Sequence, residues 1–169
     1  MKKILLLTSL LILVGAGCNS NSKNIPPTSS GKTTTYSNSL LQATLELPNT
    51  WDIIDSNQAD PHFYSKKDCA QNDRPQCSVL ELLNGEKLLT GGAPTLVKQL
   101  KDEKISYSKL DIIPSAIVYK TNLNNSAEGY TNQYYIFFPN KNRALVAFGN
   151  NFEGEESAES ILATLKVQN

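Results

Sequence analysis

Three cysteines and one histidine are the side chains of this 169-residue sequence that most readily do chemistry. Thiolates and imidazoles bind zinc, and an imidazole is the usual base beside a serine or cysteine nucleophile. Cys69, Cys77 and His62 could supply at most three ligands, whereas a structural zinc site uses four. We therefore predict no zinc site.

The segment 55–60 offers oxygen ligands instead. Asp55 and Asn57 stand at the first and third positions of a calcium-loop pattern. That pattern also requires a glycine at its sixth position and a glutamate at its twelfth, where this sequence has Asp60 and Lys66. The metal prediction for the whole chain is therefore none.

His62 is the only imidazole that could serve as the base of a nucleophilic site. It lies beside Pro61 and close to Asp60, a position typical of a surface-loop histidine. The sequence contains no Gly-x-Ser-x-Gly elbow and no phosphate-binding glycine motif. We predict no catalytic residue, no cofactor and no enzymatic activity. The alternative is a weak hydrolase that combines His62 with a serine and an acid.

The first eighteen residues have the order of an export signal. Met1–Lys3 is basic, Ile4–Val14 is apolar, and small residues at 15–17 lead to Cys18. The apolar run is too short to cross a hydrocarbon core of about 30 Å, which needs roughly 20 helical residues. The pattern resembles the lipobox of bacterial lipoproteins, although a glycine stands where leucine is commoner. We predict that residues 1–17 are removed and that Cys18 is acylated, for example with palmitate.

The signal is followed by a polar tether and one domain. Residues 18–35 are rich in Ser, Thr, Asn and Pro and bury too little apolar surface to offset their chain entropy, so we predict disorder. Residues 36–169 are enough for a single domain with its own core. Within it, Cys69 and Cys77 form an even pair in an exported chain, which predicts a disulfide.

The first predicted elements are strands. Apolar and polar residues alternate over 41–47, and Trp51–Asp55 resumes an apolar pattern after a break at Pro48. We predict that these two segments pair as a hairpin, with Trp51 in the core. Asn84-Gly85 is a strong turn signal that would send residues 86–90 back alongside the preceding strand.

The later elements define the fold class. Apolar residues recur at helical spacing over Pro94–Glu103 and Glu155–Lys166. Tyr130–Phe138 and Ala144–Phe148 predict an antiparallel hairpin, and the first of these strands is apolar on both faces. Such a strand must be covered on both sides. The predicted fold is therefore α+β, an antiparallel sheet covered by helices.

This order of elements resembles the PsbP-like family, which includes DcrB-like bacterial envelope lipoproteins. The resemblance rests on the segment Leu47-Pro48-Asn49-Thr50-Trp51, on the closing-helix segment Ile161-Leu162-Ala163-Thr164-Leu165, and on the middle helix and strands between them, over about residues 36–169. It implies an α/β/α sandwich and a non-enzymatic accessory or binding role. The loop between Cys69 and Cys77 departs from the family pattern.

Charge excludes one class of partner. The 16 basic and 16 acidic residues balance, and no basic patch or Arg-rich run is present, so we predict no nucleic-acid binding. The predicted partners are membrane lipid, through acylated Cys18, and an envelope protein or small ligand. We expect a lipoprotein anchored to a bacterial membrane, on its periplasmic or extracellular face, that acts as a binding or accessory module.

Overall fold

The computed structural model describes residues 33–55, 59–66, 79–87, 89–123, 130–150 and 157–168. A short 3₁₀ turn, Pro139–Lys141, joins two of its strands. The other elements of these ranges, in chain order, are β1 Thr33–Asn38, β2 Ala43–Pro48, β3 Trp51–Asp55, β4 His62–Ser65, β5 Val79–Asn84, α1 Gly92–Asp102, β6 Tyr107–Leu110, β7 Ile117–Asn122, β8 Asn132–Phe138, β9 Arg143–Gly149, α2 Ala158–Leu162 and β10 Lys166–Val167.

The strands form two antiparallel sheets. Seven of them pair in the order β3-β4-β5-β9-β8-β7-β6, and three pair in the order β1-β2-β10. The predicted β8–β9 hairpin is present, with Ile136 opposite Leu145 in its register. The structure is therefore mostly antiparallel β-sheet with few helices, which confirms the antiparallel sheet of the predicted α+β fold.

One face of the large sheet shares a buried cluster with α1. The helix has the predicted amphipathic pattern, and its residues Ala93, Leu96 and Leu100 are buried. They belong to the same cluster as Tyr135 and Val146, which are direct cross-strand partners and so point to the same face of the sheet.

The opposite face shares a larger cluster with the small sheet and α2. Every second residue of β2 is buried, as a half-buried strand requires. This larger cluster contains one or more residues from each of β2, β4, β5, β7, β8, β9 and α2, among them Leu45, Phe63, Leu80, Val118, Ile136, Leu145 and Leu162.

The predicted hairpin of 41–47 with Trp51–Asp55 is wrong. β2 pairs with β1 and β10, whereas β3 pairs with β4 in the other sheet. The turn at Asn49 and Thr50 therefore carries the chain from one sheet to the other. Trp51 is buried in the core, as predicted, with 4% of its surface exposed.

The predicted tether extends too far into the chain. Thr33 is already part of β1 and pairs with Pro48, so residues 33–35 belong to the fold. Thr33 Oγ1 and Thr35 Oγ1 donate to the two carboxylate oxygens of Glu46 at 3.2 and 2.8 Å. A run of threonines is polar in composition, but its β-branched side chains favour a strand once a partner strand is available.

The closing helix is shorter than the predicted Glu155–Lys166. It begins after Ser157, whose Oγ accepts from Ser160 N at 3.1 Å, and it gives way to a turn at Ala163. Lys166 lies in β10, where it pairs with Thr44. Neither helix of the described ranges has the length and apolar character needed to cross a membrane.

We expect Leu162→Ala to lower the free energy of unfolding by about 2–5 kcal/mol, because it leaves a cavity in a cluster where Leu162 is 0% exposed. Urea unfolding followed by circular dichroism measures the change. Leu40→Ala is the matched control, since Leu40 is 59% exposed and should change stability by less than about 0.5 kcal/mol. Equal losses in the two variants would contradict the packing of α2 described here.

Candidate functional site

A cleft of about 520 Å³ lies where β5 ends, β9 begins and α1 starts. Small-ligand sites in proteins have roughly 300–1,000 Å³. Its floor is a row of three cross-strand partners, Ala144, Phe137 and Ile117, from three adjacent strands. At a strand spacing of about 4.8 Å, this apolar row is about 10 Å long.

The first turn of α1 forms one wall of the cleft. Gly91 and Gly92 have φ of 90° and 71°, a left-handed conformation that glycine adopts without strain. A Cβ at Gly91 would lie 2.5 Å from Thr95 Oγ1, whose hydroxyl donates to the Gly91 carbonyl at 2.9 Å. The helix has no side-chain cap and no acid in its first turn, so this wall is mainly backbone.

Asn84 and Gly85 place Glu86 at the rim, and the hairpin predicted from them is wrong. Asn84 Oδ1 accepts from Glu86 N at 3.0 Å, and Gly85 N donates to the Ala144 carbonyl at 2.8 Å. A Cβ at Gly85 would lie 2.9 Å from the backbone of Leu145, so glycine is needed for this close approach to β9. The described residues after Gly85 form turns that lead into α1, not a returning strand.

Arg143 joins the cleft to the small sheet. Its Nε lies 2.6 Å from Glu86 Oε1 as an ion pair, off the line of a hydrogen bond. Nη1 donates to Gln42 Oε1 at 2.7 Å and Nη2 donates to the Leu41 carbonyl at 3.1 Å. The arginine side chain is 16% exposed and the glutamate side chain 44% exposed. The guanidinium is therefore fixed in position and its charge is balanced by Glu86.

Left-handed backbone is concentrated around this cleft. Of the five described residues with positive φ, Gly91, Gly92 and Asn142 line the cleft, and Gln42 contacts Arg143. Asn142 and Gln42 are the non-glycine residues of this group, and non-glycine residues in this conformation cluster at ligand sites in proteins. The geometry therefore favours this cleft as the functional site. The sequence signal that could have indicated it is Gly91-Gly92 just before a helix.

His62, the predicted alternative base, is elsewhere. It lies on β4 with its Nε2 3.4 Å from Glu81 Oε1, on the neighbouring strand β5. Its Nδ1 is buried and has no hydrogen-bond partner among the described residues. Neither nitrogen contacts a serine hydroxyl there, so the described ranges contain no assembled Ser-His-acid site. Cys18, Cys69 and Cys77 lie outside the described residues.

A second titratable cluster joins α2 to the sheet. Lys120 Nζ lies 2.7 Å from Glu159 Oε1, and Tyr134 OH donates to the same oxygen at 3.5 Å. Burial raises the pKa of Tyr134 well above its usual range, and the adjacent Glu159 carboxylate raises it further. The cluster contains no nucleophile activated by a base, and it connects α2 to the sheet.

Among the described residues, no three His, Cys, Asp or Glu side chains lie close enough together to hold a metal ion. The arrangement around the cleft offers an apolar floor, backbone groups and one balanced ion pair. An arrangement of this kind can bind a small molecule or part of a partner.

Comparison with known proteins gives a likeness in fold. No family model matches the chain, and no curated protein does. A protein from Bacteroides thetaiotaomicron VPI-5482, with a crystal structure at 1.50 Å resolution, matches with a TM-score of 0.52 and 14% sequence identity. The match covers 83% of this chain and 50% of that protein, so this chain spans about half of that protein's length. At this identity the likeness concerns the fold alone.

We expect Tyr134→Phe to reduce the loss of stability at alkaline pH. Because its pKa is raised, Tyr134 stays neutral in the folded state, whereas the same phenol in the unfolded chain ionises near pH 10. The contribution of the buried phenol to the free energy of unfolding is therefore fully present below about pH 10 and is lost as the pH rises above it. The wild type should lose up to about 1.4 kcal/mol more per pH unit above that point than the variant. Urea unfolding at about pH 8 and about pH 11 measures the difference.

Ultraviolet titration of the tyrosines provides the control. Near pH 11 the folded wild type and Tyr134→Phe should ionise the same number of tyrosines, because the buried phenol does not titrate. In urea the wild type should ionise one more tyrosine than Tyr134→Phe. One extra ionised tyrosine in the folded wild type would show that Tyr134 is accessible to hydroxide.

Proposed function

We propose that this chain is an exported bacterial lipoprotein that acts as a non-enzymatic binding or accessory module of the cell envelope. Residues 1–17 are the signal, acylated Cys18 is the anchor, and the folded domain carries the binding site. The fold is proposed to be a PsbP-like α/β/α sandwich, in which α1 and α2 lie on opposite faces of the large sheet. The two separate buried clusters, each of which contains one of these helices, support this description.

The observation that carries the proposal is the cleft at the start of α1. It combines a volume of about 520 Å³ with an apolar floor and a fixed ion pair at its rim. Pockets of this kind, with few polar groups in fixed positions, are the usual ligand sites of proteins. Catalysis would require an activated group there, and the described lining supplies none.

The position of β1 suits a membrane tether. Thr33, where the chain enters the domain, pairs with Pro48 at one end of β2. Gln42, which contacts Arg143 of the cleft, lies just before the other end of β2. Six strand residues at about 3.3 Å each separate these ends by roughly 17–20 Å. A lipid anchor that leads into Thr33 therefore enters the domain at the end of β2 away from the cleft.

The anchor is tested by mass spectrometry of the mature protein from native membranes. We expect a chain that begins at acylated Cys18, because the acyl chains of a lipoprotein hold it firmly in a bilayer. Alkylation without reduction should add no mass at Cys69 and Cys77 if they form the proposed disulfide. Cys18→Ser should move the protein to the soluble fraction. An intact Met1 in mature protein would refute the anchor, and two alkylated thiols would refute the disulfide.

The cleft is tested by native mass spectrometry of the protein purified from its own envelope. We expect Ile117→Trp to lose a co-purifying molecule that the wild type retains, because the larger ring fills the cleft floor. Ile53→Trp, on the edge strand β3, is the matched control and should retain it, since Ile53 is 38% exposed and outside the cleft. His62→Ala should also retain it. Retention by Ile117→Trp, or loss in His62→Ala with the fold intact, would contradict the proposal.

A further inference from the structure

We propose that the cleft takes an uncharged, mainly apolar small molecule. This inference rests on the proposed binding function and adds the chemical class of the ligand. It follows from three features of the cleft: the balance of charge at its rim, the composition of its floor and its size.

The two charges at the rim of the cleft balance each other without a ligand. Glu86 and Arg143 are the two charged side chains among the described residues that line the cleft, and they form an ion pair at 2.6 Å. Nη1 and Nη2 of Arg143 each donate one further hydrogen bond, to Gln42 and to the Leu41 carbonyl. An anionic ligand would have to compete with Glu86 for the guanidinium, and a cationic ligand would have to compete with Arg143 for the carboxylate.

The floor would leave a charged group without compensation. Phe137 and Ala144 are buried, with 5% and 7% of their surfaces exposed, and Ile117 lies beside them in the same row. A charge placed over apolar groups loses part of its hydration and gains no partner, which is unfavourable. The same surface stabilises an apolar body in proportion to the apolar area that is removed from water.

Size limits the ligand to a small molecule. A cleft of about 520 Å³ over a row of about 10 Å accommodates two or three fused or linked rings, or a short branched chain. The amide of Asn142, an exposed residue of the lining, is available for a hydrogen bond to a neutral polar end. The inferred ligand is therefore apolar over most of its surface.

A matched pair of fluorescent probes tests this inference. N-phenylnaphthylamine is uncharged, and anilinonaphthalene sulfonate has the same ring system with an added sulfonate. The protein is the mature chain with Cys18→Ser, which carries no lipid and needs no detergent. We expect saturable binding of the neutral probe at one site, at least about tenfold tighter than binding of the sulfonate. Ile117→Trp should lower the affinity for the neutral probe by about tenfold or more, and Ile53→Trp should leave that affinity unchanged.

Glu86→Gln tests the charge argument directly. Removing the carboxylate leaves the Arg143 charge unbalanced, so the affinity for the sulfonate should rise by about tenfold.

If the wild type binds the sulfonate more tightly than the neutral probe, and Ile117→Trp abolishes that binding, the inference is overturned but the cleft is still a binding site. Binding of either probe that Ile117→Trp does not change would place it outside the cleft and count against both proposals. Failure of the neutral probe to bind would also overturn the inference, while native mass spectrometry would still decide the proposed function.

Discussion

Burial of β8 on both faces is the constraint on which the rest of the structure depends. Tyr134, Ile136 and Phe138 point to one side and Tyr135 and Phe137 to the other, and all are buried. An antiparallel strand with this composition is stable only when each face is packed. On one side the cluster includes α1, and on the other it includes α2 and the three-stranded sheet. The cleft lies at the start of α1.

Elements with a local pattern were predictable from the sequence, and the pairing of strands was less so. The periodicity of α1 and the apolar run of β8 are visible in short windows, and both elements form. β2 and β3 also have clear strand patterns, but nothing in their residues tells which sheet each joins. That choice depends on distant partners: β10 at the end of the chain for β2, and β4 for β3. The same dependence explains why the composition of residues 33–35, the first half of β1, predicts a tether.

The candidate site was not predictable, for a related reason. Glu86 and Arg143 are far apart in the sequence and meet because β5 pairs with β9, with Asn84 opposite Leu145. Asn84-Gly85 has the composition of a hairpin turn, but the glycine is needed here because the backbone approaches β9 too closely for a side chain. His62 is the only histidine and hence the only candidate imidazole base, but its Nε2 lies next to Glu81 on the neighbouring strand. Residue type alone therefore indicates His62, whereas the pairing of distant strands brings together the residues of the cleft.

The pairing of β1 also has a mechanical consequence. Thr33 begins a strand whose hydrogen bonds to β2 run perpendicular to the strand axis. A pull on Thr33 along that axis loads these bonds together in shear, whereas a pull across the sheet would open them one at a time. β2 is held in turn by β10 and by the hydrogen bond that Glu46 N donates to Thr164 Oγ1 at 2.9 Å. Force that enters through the start of the domain is thus distributed over the small sheet before it reaches the large one.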